Sequence, residues 1–309
     1  MSSDAESIRT RVLCAIEAIR TPGYHFPGYF LDIRWPEVAP GLSRMLMPDG
    51  PHLRDEAGDV DLLALCALAD VAVGTGARAA DRTSQRLSTI HLQLQFTGAR
   101  MRGDIVAEAR LLGNAQGTAL QQRLASAVLL ARDTAVAHVT GEFVALAAPP
   151  EVALGPLPWQ RAHQACEVPA DQATLSDAER DVLRLCDEQL AKGASGFLQR
   201  FWLGPERAPA GDALRIATGV HMGNRVNHVQ GGLLVGIAAH SARRAAPAGM
   251  GLSNVSAWFV SPGRGRLNVR SELLHAGRAT ALVRSVIAGD GGQTVLEAVT
   301  QHVALAASQ

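Results

Sequence analysis

The chain has 309 residues, enough for two domains at about 150 residues each. Hydrophobic residues make up 47% and charged residues 19%, so there is ample apolar material for folded cores and global disorder is excluded. The 29 basic and 29 acidic residues balance to a formal net charge of zero. This balance argues against a general attraction to nucleic acids or to anionic membranes.

No targeting or membrane segment is predicted. The first twenty residues alternate charged and apolar residues, and they lack the apolar stretch of a signal peptide. The longest apolar run, 62–77, carries Asp70 and falls short of the roughly 18 uncharged residues of a membrane span. The cysteines are Cys14, Cys66, Cys166 and Cys186. Their spacing matches no zinc or CxxC pattern, which favours reduced structural thiols in a cytoplasmic protein without a metal site.

The first half predicts an amphipathic helix at about 4–20, then a strand, then a helix from Leu62 to Val73 that is apolar on every side. Such a helix is expected to be buried. Ser88–Phe96 alternates strictly and predicts a strand with one face on a core, with Ile90 on that face and Thr89 on the other. Further strands are predicted at 101–113, 117–130 and 134–147.

The second half repeats this order after a proline-spotted linker. A helix is predicted at 175–192, with Ser176 as its N-cap and Glu179 completing a capping box. A second buried helix is expected at Leu233–Ala239. The remaining strands are predicted at 251–260, 265–275, 279–289 and 292–305.

The two halves are similar in sequence as well as in pattern. Leu111-Leu112 aligns with Leu273-Leu274, and Phe96 aligns with Phe259. A repeat of this length indicates one duplicated domain rather than a solenoid. We therefore expect an α+β chain of two domains, each an antiparallel sheet wrapped around a central helix, with the sheets joined edge to edge. The expected boundaries are 1–150, a linker at 151–174, and 175–309.

Asp70 is the most unusual residue of the first buried helix, because aspartate is rarely buried unless it is paired. It is either a structural carboxylate, satisfied by a hydroxyl or a backbone N–H, or a functional one. In an apolar groove its pKa would rise, as suits a general base or a nucleophile. The helix by itself does not choose between these two roles.

Gly231 and Gly232 open the second buried helix. The first turn of a helix has unpaired N–H groups at the positive end of its dipole, and glycine lets a carbonyl oxygen approach them. This pattern is typical of an oxyanion hole, although the same pair also occurs in simple tight turns. Asn224, seven residues earlier, could add a side-chain donor or be an ordinary loop residue.

The segment from Asn224 through Gln230-Gly231-Gly232, together with the strand end Phe259-Val260-Ser261-Pro262, resembles hotdog-fold acyl-CoA thioesterases of the phenylacetic-acid-degradation type. The family motif is Asn, five residues, His-Gly-Gly, six residues, then Asp on the central helix. The resemblance covers both halves, at about 22–148 and 190–306. It implies two tandem hotdog domains paired as an intrachain pseudo-dimer, with the active site between them.

The resemblance also assigns residues. The second half keeps Asn224, Gly231 and Gly232, has Gln230 in place of the family His, and has Ala239 at the Asp position.

The first half has the reverse pattern. It keeps the carboxylate, Asp70, but reads Asp55 for the Asn and Asp61-Leu62-Leu63 for His-Gly-Gly. Thr89 matches, with a one-residue gap, a family Ser that contacts the catalytic carboxylate.

Together these assignments predict one composite site, with Asp70, Thr89, Asn224, Gly231 and Gly232 as catalytic residues and Gln230 as a substrate contact. The expected reaction is hydrolysis of an acyl-CoA, with coenzyme A as part of the substrate and no further cofactor. Arginines after the long strands (Arg100, Arg102, Arg264 and Arg266) are candidates for its phosphates, with none preferred.

Two alternatives and one question of assembly stay open. The first alternative is a non-catalytic acyl-CoA-binding protein. The second is a hotdog enoyl-CoA hydratase or dehydratase, which the lack of a histidine within a turn of Asp70 disfavours. Assembly of double-hotdog units into a homo-oligomer is the open question. No nucleic-acid or membrane partner is expected.

Overall fold

The computed structural model describes residues 2–78, 85–115, 121–147, 150, 154–160, 168–204 and 214–306. The helices are α1 (Ser3–Ile19), α2 (Phe26–Phe30), α3 (Leu62–Arg78), α4 (Asp177–Leu190), α5 (Phe197–Leu203) and α6 (Gly231–Ala245). None of the helices in these ranges is both long and apolar enough to cross a membrane.

The strands of the first half are β1 (Arg34–Ala39), β2 (Leu42–Met47), β3 (Arg86–Phe96), β4 (Ile105–Ala115), β5 (Gln122–Ala131) and β6 (Thr134–Leu146). Those of the second half are β7 (Leu214–Ala217), β8 (Met250–Phe259), β9 (Arg266–Ala276), β10 (Thr280–Gly289) and β11 (Thr294–Ala304). The predicted strands are confirmed to within a few residues, except that β4 begins later than predicted. Residues 116–120, which include the start of the strand predicted at 117–130, lie outside the described residues.

The strands of the described ranges form one antiparallel sheet, in the order β1-β2-β4-β5-β6-β3-β8-β11-β10-β9-β7. The two halves meet where β3 pairs with β8. In that ladder Gln93 lies opposite Ser256, and the pairs on either side of it are related by an approximate two-fold axis. The same sequence of elements runs outward from this axis in both directions, with β1 as one extra strand on the first half.

Each half contributes one buried helix packed against its part of the sheet. Nearly every residue of α3 is buried, in keeping with an apolar sequence on all sides. The second buried helix, α6, is longer than the predicted Leu233–Ala239, because it begins at the glycine pair and continues past Ala239 to Ala245. The two helices touch where Gly232 lies against the backbone of Cys66 and Ala67. This close contact brings the start of α6 beside the middle of α3.

The long opening helices α1 and α4 also join the two halves. The capping box predicted at Ser176 is confirmed, since its hydroxyl accepts from the Glu179 N–H (3.4 Å) and the Glu179 carboxylate accepts from the Ser176 N–H (2.7 Å). The guanidinium groups of Arg9 and Arg20 on α1 bind Asp187 and Glu179 on α4, at 2.8 and 3.1 Å. Such partly exposed ion pairs add little stability each, but they fix how the helices face each other.

The expectation of four reduced cysteines is wrong at one position. Cys14 is disulfide-bonded, whereas Cys66 and Cys186 are buried free thiols. Burial raises the pKa of both free thiols, and the pKa of Cys186 rises to about 12. Neither Cys66 nor Cys186 is therefore a reactive thiolate. Cys166 lies outside the described residues.

Candidate active site

Asp70 is buried on α3, and its carboxylate accepts hydrogen bonds from both halves of the chain. Thr89 Oγ1 donates to Oδ1 at 2.9 Å. Gln230 Nε2 and the Gly232 N–H donate to Oδ2, at 2.8 and 3.1 Å. Oδ2 thus accepts from two donors and Oδ1 from one. Oδ1 is therefore the oxygen with more capacity left to accept a hydrogen bond or a proton.

The protonation of Asp70 reflects two opposing effects. Burial raises the pKa of its carboxyl group to about 6, while the hydrogen bonds from Thr89 and Gly232 act in the opposite direction. Desolvation destabilises the charged form, and donors aimed at the oxygens stabilise it. A carboxylate with a pKa near the working pH is suited to accept a proton during a reaction.

Gln230 links the start of α6 to Asp70. Its Oε1 accepts from the Leu233 N–H at 2.8 Å and so caps the helix. That bond orients the amide, because the oxygen must face Leu233 and Nε2 must therefore face Asp70. The side chain is buried, and both ends of its amide are engaged. Gln230 is therefore placed to hold the carboxylate, and its predicted contact with substrate stays a prediction.

Gly231 lies directly against the carboxylate. A Cβ at this position would come within 2.9 Å of Asp70 Oδ2, so only glycine fits without displacing Asp70. Among the described residues, no acceptor binds the Gly231 N–H. Gly231 lines a cavity, and its N–H lies at the positive end of α6. A free N–H at a helix start is a group that can donate to a ligand oxygen.

The strict alternation predicted for Ser88–Phe96 is interrupted beside Thr89. The pairing of β3 with β6 shifts register between Thr89 and His91, so Ile90 is bulged. A bulge inserts one residue and turns the side chains before it to the other face. Thr89 therefore faces α3 and Asp70 instead of pointing away. Local periodicity could not reveal this, since the bulge is a property of two paired strands.

Asn224 shapes the loop before α6. Its Oδ1 accepts from the N–H groups of Val226 and His228, at 2.9 and 3.1 Å. Because the oxygen is used in this turn, only the Nδ2 donor remains for a ligand. Asn224 lines the same cavity as Asp70 and Gly231, so the predicted catalytic residues of both halves do come together.

The cavity has a volume of about 560 Å³ and lies between the two halves. Its wall also includes the aromatic side chains of Trp35, Phe143 and Trp159. The rings of Trp35 and Trp159 lie 6.3 Å apart. The sequence pattern does not predict this part of the site. Residues 154–160 belong to what was predicted to be only a linker, and no motif connects them to the buried helices.

The equivalent position on the other side of the two-fold axis lacks the carboxylate, the hydroxyl and the glycine pair. Asp55 forms the same turn as Asn224, accepting from the N–H groups of Ala57 (2.8 Å) and Asp59 (3.0 Å). The other equivalent residues are Asp61 for Gln230, Leu62 and Leu63 for the glycines, Ala239 for Asp70 and Leu252 for Thr89. Apolar side chains thus replace the carboxylate, its hydroxyl partner and the glycine pair.

The candidate phosphate ligands differ in their surroundings. Arg100 and Arg102 both bind the Asp59 carboxylate, each at 3.0 Å. Arg264 instead contacts His228, which lines the cavity. Burial and the charges of Arg264 and Arg86 lower the pKa of His228 to about 4. In the described ranges, no three His, Cys, Asp or Glu side chains are grouped as metal ligands would be.

No family model and no curated protein matches this chain. Solved structures do. One is a Lactobacillus plantarum protein named as an oleoyl thioesterase, which is 11% identical to this chain. The alignment covers 88% of this chain and 99% of that protein, with a TM-score of 0.52. The TesB protein of Mycobacterium avium subspecies paratuberculosis is 12% identical, with coverages of 88% and 96% and a TM-score of 0.51.

The 12:0-ACP thioesterase of Umbellularia californica is 10% identical, with coverages of 85% and 94% and a TM-score of 0.52. At such low identities these similarities concern the fold alone. They show that most of this chain shares the fold of these thioesterases, in keeping with the predicted likeness. They do not separate the phenylacetic-acid-degradation type from other types.

Proposed function

We propose that the chain is an acyl-CoA thioesterase with one active site between two tandem hotdog domains paired as an intrachain pseudo-dimer. The observation that carries the proposal is the placement of the Asp70 carboxylate against the glycine pair at the start of α6. The fold shared with several thioesterases supports it. Coenzyme A enters as part of the substrate, and the reaction requires no other cofactor.

The proposed reaction uses groups from both halves. The thioester carbonyl oxygen accepts from the Gly231 N–H and from Asn224 Nδ2, which stabilise the developing negative charge. Asp70 Oδ1 takes a proton from a water molecule, whose oxygen attacks the carbonyl carbon. The carbon–sulfur bond breaks, and the proton passes to the departing thiolate. Direct attack by Oδ1, followed by hydrolysis of the anhydride, is the other route with the same balance.

A panel of acyl-CoA thioesters with chains of increasing length tests the activity, with the released thiol measured by its reaction with a disulfide reagent. After a single turnover in ¹⁸O water, label in the Asp70 carboxylate identifies direct attack with cleavage of the anhydride at the Asp70 carbonyl, because the water route places all of the label in the product acid. If the purified chain hydrolyses no thioester of the panel, the proposed activity is wrong. Binding of a non-hydrolysable thioether analogue would then favour the non-catalytic acyl-CoA-binding alternative.

The hydratase or dehydratase alternative finds no support at the site. Asp70 hydrogen-bonds Thr89, Gln230 and Gly232, with no histidine among these partners. His228, with its pKa lowered to about 4, contacts Arg264. Among the described residues, Asp70 therefore has no hydrogen-bonded histidine with which to form the acid–base pair that adds water across a double bond.

Asn224→Asp is expected to lower kcat by roughly 10²–10³-fold with little loss of stability. Asp can keep the turn, as Asp55 does with the same two hydrogen bonds in the first half. The change replaces the Nδ2 donor with an oxygen that repels the developing charge. Thioester turnover and the thermal unfolding midpoint check this. A variant that is folded and fully active would remove Asn224 from the oxyanion site.

kcat/KM is expected to rise with pH through about 6, because Asp70 must be ionised and burial sets its pKa there. In Gln230→Ala the ionised form loses a donor, so the rise should move to higher pH. The matched control is Asp61→Asn, which removes the other buried carboxyl group whose pKa burial raises to about 6. A profile that moves in Asp61→Asn and not in Gln230→Ala would contradict the assignment.

A further inference from the structure

His25 is a cavity-lining residue that the proposed reaction does not use. It precedes α2 and caps that helix, with Nδ1 accepting from the Gly28 N–H at 3.1 Å. The ring lies over Gly28, where a Cβ would come within 2.6 Å of the ring Cε1. The position of the imidazole is thus fixed by a hydrogen bond on one side and by packing on the other.

The cap also fixes where the ring carries its proton. In a neutral imidazole one nitrogen donates and the other accepts. Since Nδ1 accepts from Gly28, the hydrogen must be on Nε2. Burial, with a smaller effect of the Arg225 charge, lowers the pKa of His25 to about 4. The ring is therefore neutral at physiological pH and presents an N–H donor rather than a positive charge.

This donor is available in the cavity. His25 is only half-buried and lines the same cavity as Asp70. Among the described residues, no group hydrogen-bonds Nε2. The nearby indole N–H is already used, since Trp35 Nε1 donates to Thr75 Oγ1 at 3.3 Å. Nε2 is thus an unused donor on the wall of the cavity that Asp70 also lines.

The fold itself does not require a histidine here. The equivalent short helix of the second half, α5, has Gly196 at its N-cap position and no side-chain cap at all. The helix α2 that His25 precedes is anchored by Phe26 and Phe30, both fully buried. Their rings pack against Phe201 of the second half. A side chain on so rigid a support holds a ligand group well.

We propose that His25 Nε2–H donates a hydrogen bond to an uncharged oxygen of the substrate other than the thioester carbonyl. This inference rests on the proposed thioesterase function and deepens it. Two parts of an acyl-CoA carry such an oxygen. One is a hydroxyl or oxo group on the acyl chain, and the other is an amide carbonyl of the pantetheine arm.

The decisive variant is His25→Asn. Asparagine is among the best N-cap residues, so it can keep the bond to the Gly28 N–H, yet it is too short to place a donor where Nε2 lies. His25→Ala removes both the cap and the donor. Equal unfolding midpoints for wild type and His25→Asn, with a lower midpoint for His25→Ala, would show that the two roles have been separated.

Substrates are compared as pairs that differ by one chain oxygen, each as the coenzyme A thioester and as the N-acetylcysteamine thioester. If the acyl chain supplies the oxygen, His25→Asn lowers kcat/KM roughly 10–100-fold for the oxygenated member only. If the pantetheine arm supplies it, coenzyme A thioesters lose that factor uniformly. N-acetylcysteamine keeps only the amide nearest the sulfur, so its thioesters lose the same factor if that amide is the acceptor and keep their rate if the distal amide is. Either pattern supports the inference.

A wild-type-like His25→Asn enzyme on every substrate would overturn the inference and leave His25 as a cap alone. That result differs from failure of the proposed function, in which the wild-type chain hydrolyses none of these thioesters. In that case the dissociation constants of thioether analogues of the same pairs, measured by calorimetry for wild type and His25→Asn, provide the test. Unchanged constants would then overturn the inference.

Discussion

Asp70→Asn is expected to lower thioester turnover by at least about 10³-fold while the protein still folds and binds acyl-CoA analogues. The carboxylate is the one proton acceptor that touches Thr89, Gln230 and Gly232. An amide cannot accept the proton of a water molecule at neutral pH, nor can it attack a thioester as a carboxylate can. Pre-steady-state thiol release, with analogue binding in parallel, separates lost chemistry from lost affinity.

The asparagine fits the same hydrogen bonds. Its oxygen can take the place of Oδ2 and accept from Gln230 and Gly232, while its NH₂ donates to the Thr89 hydroxyl, which can rotate to accept. The Gln230 and Gly232 donors thus keep an acceptor, and it is the loss of a partner at such buried groups that makes polar substitutions costly. A folded but inactive variant is therefore the expected outcome, and an active one would remove Asp70 from the mechanism.

The same substitution should also stabilise the protein above pH 6. The folded-state pKa of Asp70 is about 6, above the ordinary value of 3.8, so its ionisation favours the unfolded chain. The free energy of unfolding of the wild type therefore falls as pH rises from 3.8 through 6, by about 3 kcal/mol. Asparagine does not ionise, so its advantage in the unfolding free energy should be full at pH 7–8 and shrink toward pH 4.

Gly232→Ala is expected to cost roughly 3 kcal/mol or more of unfolding free energy. A Cβ at this position would lie 2.1 Å from the Cys66 carbonyl oxygen and 2.6 Å from Ala67 Cα. Both atoms belong to the backbone of α3, so no side-chain rotation can relieve the contact. The two central helices would have to move apart, and Asp70 would lose its donor at the Gly232 N–H.

Gly74→Ala is the matched control for this substitution. Gly74 also lies within a central helix, but there the nearest atom to a Cβ is Phe143 Cε1, at an ordinary 3.6 Å. Alanine should stabilise α3 at this position by up to about 1 kcal/mol. Denaturant unfolding of both variants checks the contrast. Equal stabilities would mean that the helices do not pack as closely as the structure places them.

The position related to the candidate site by the approximate two-fold axis has lost the groups proposed to act in catalysis. Ala239 and Leu252 stand where Asp70 and Thr89 stand in the first half, so the carboxylate and its hydroxyl partner are lost together. Leu62 and Leu63 likewise replace the glycine pair. Asp55, by contrast, keeps the turn that Asn224 forms. The loop framework is thus common to both halves, whereas the chemical groups are divided between them to complete one site.

The sequence by itself determined the elements and the chemical candidates. Hydrophobic periodicity identified the buried helices and most strands, and the spacing of Ser176 and Glu179 identified the capping box. These features depend on residues close together in the chain. The sequence also marked Asp70 and the Gly231-Gly232 pair, since a carboxylate and two glycines in apolar helices are locally unusual.

Only the tertiary structure decided how these parts meet. The bulge at Ile90 turns Thr89 toward Asp70, and the amide of Gln230 is oriented by Leu233 on one side and Asp70 on the other. His25 and the segment 154–160 come to the cavity from distant parts of the chain. Hydrophobic pattern specifies which face of an element is buried, but a hydrogen bond depends on sub-ångström distances between elements, and these are fixed only when the whole chain packs.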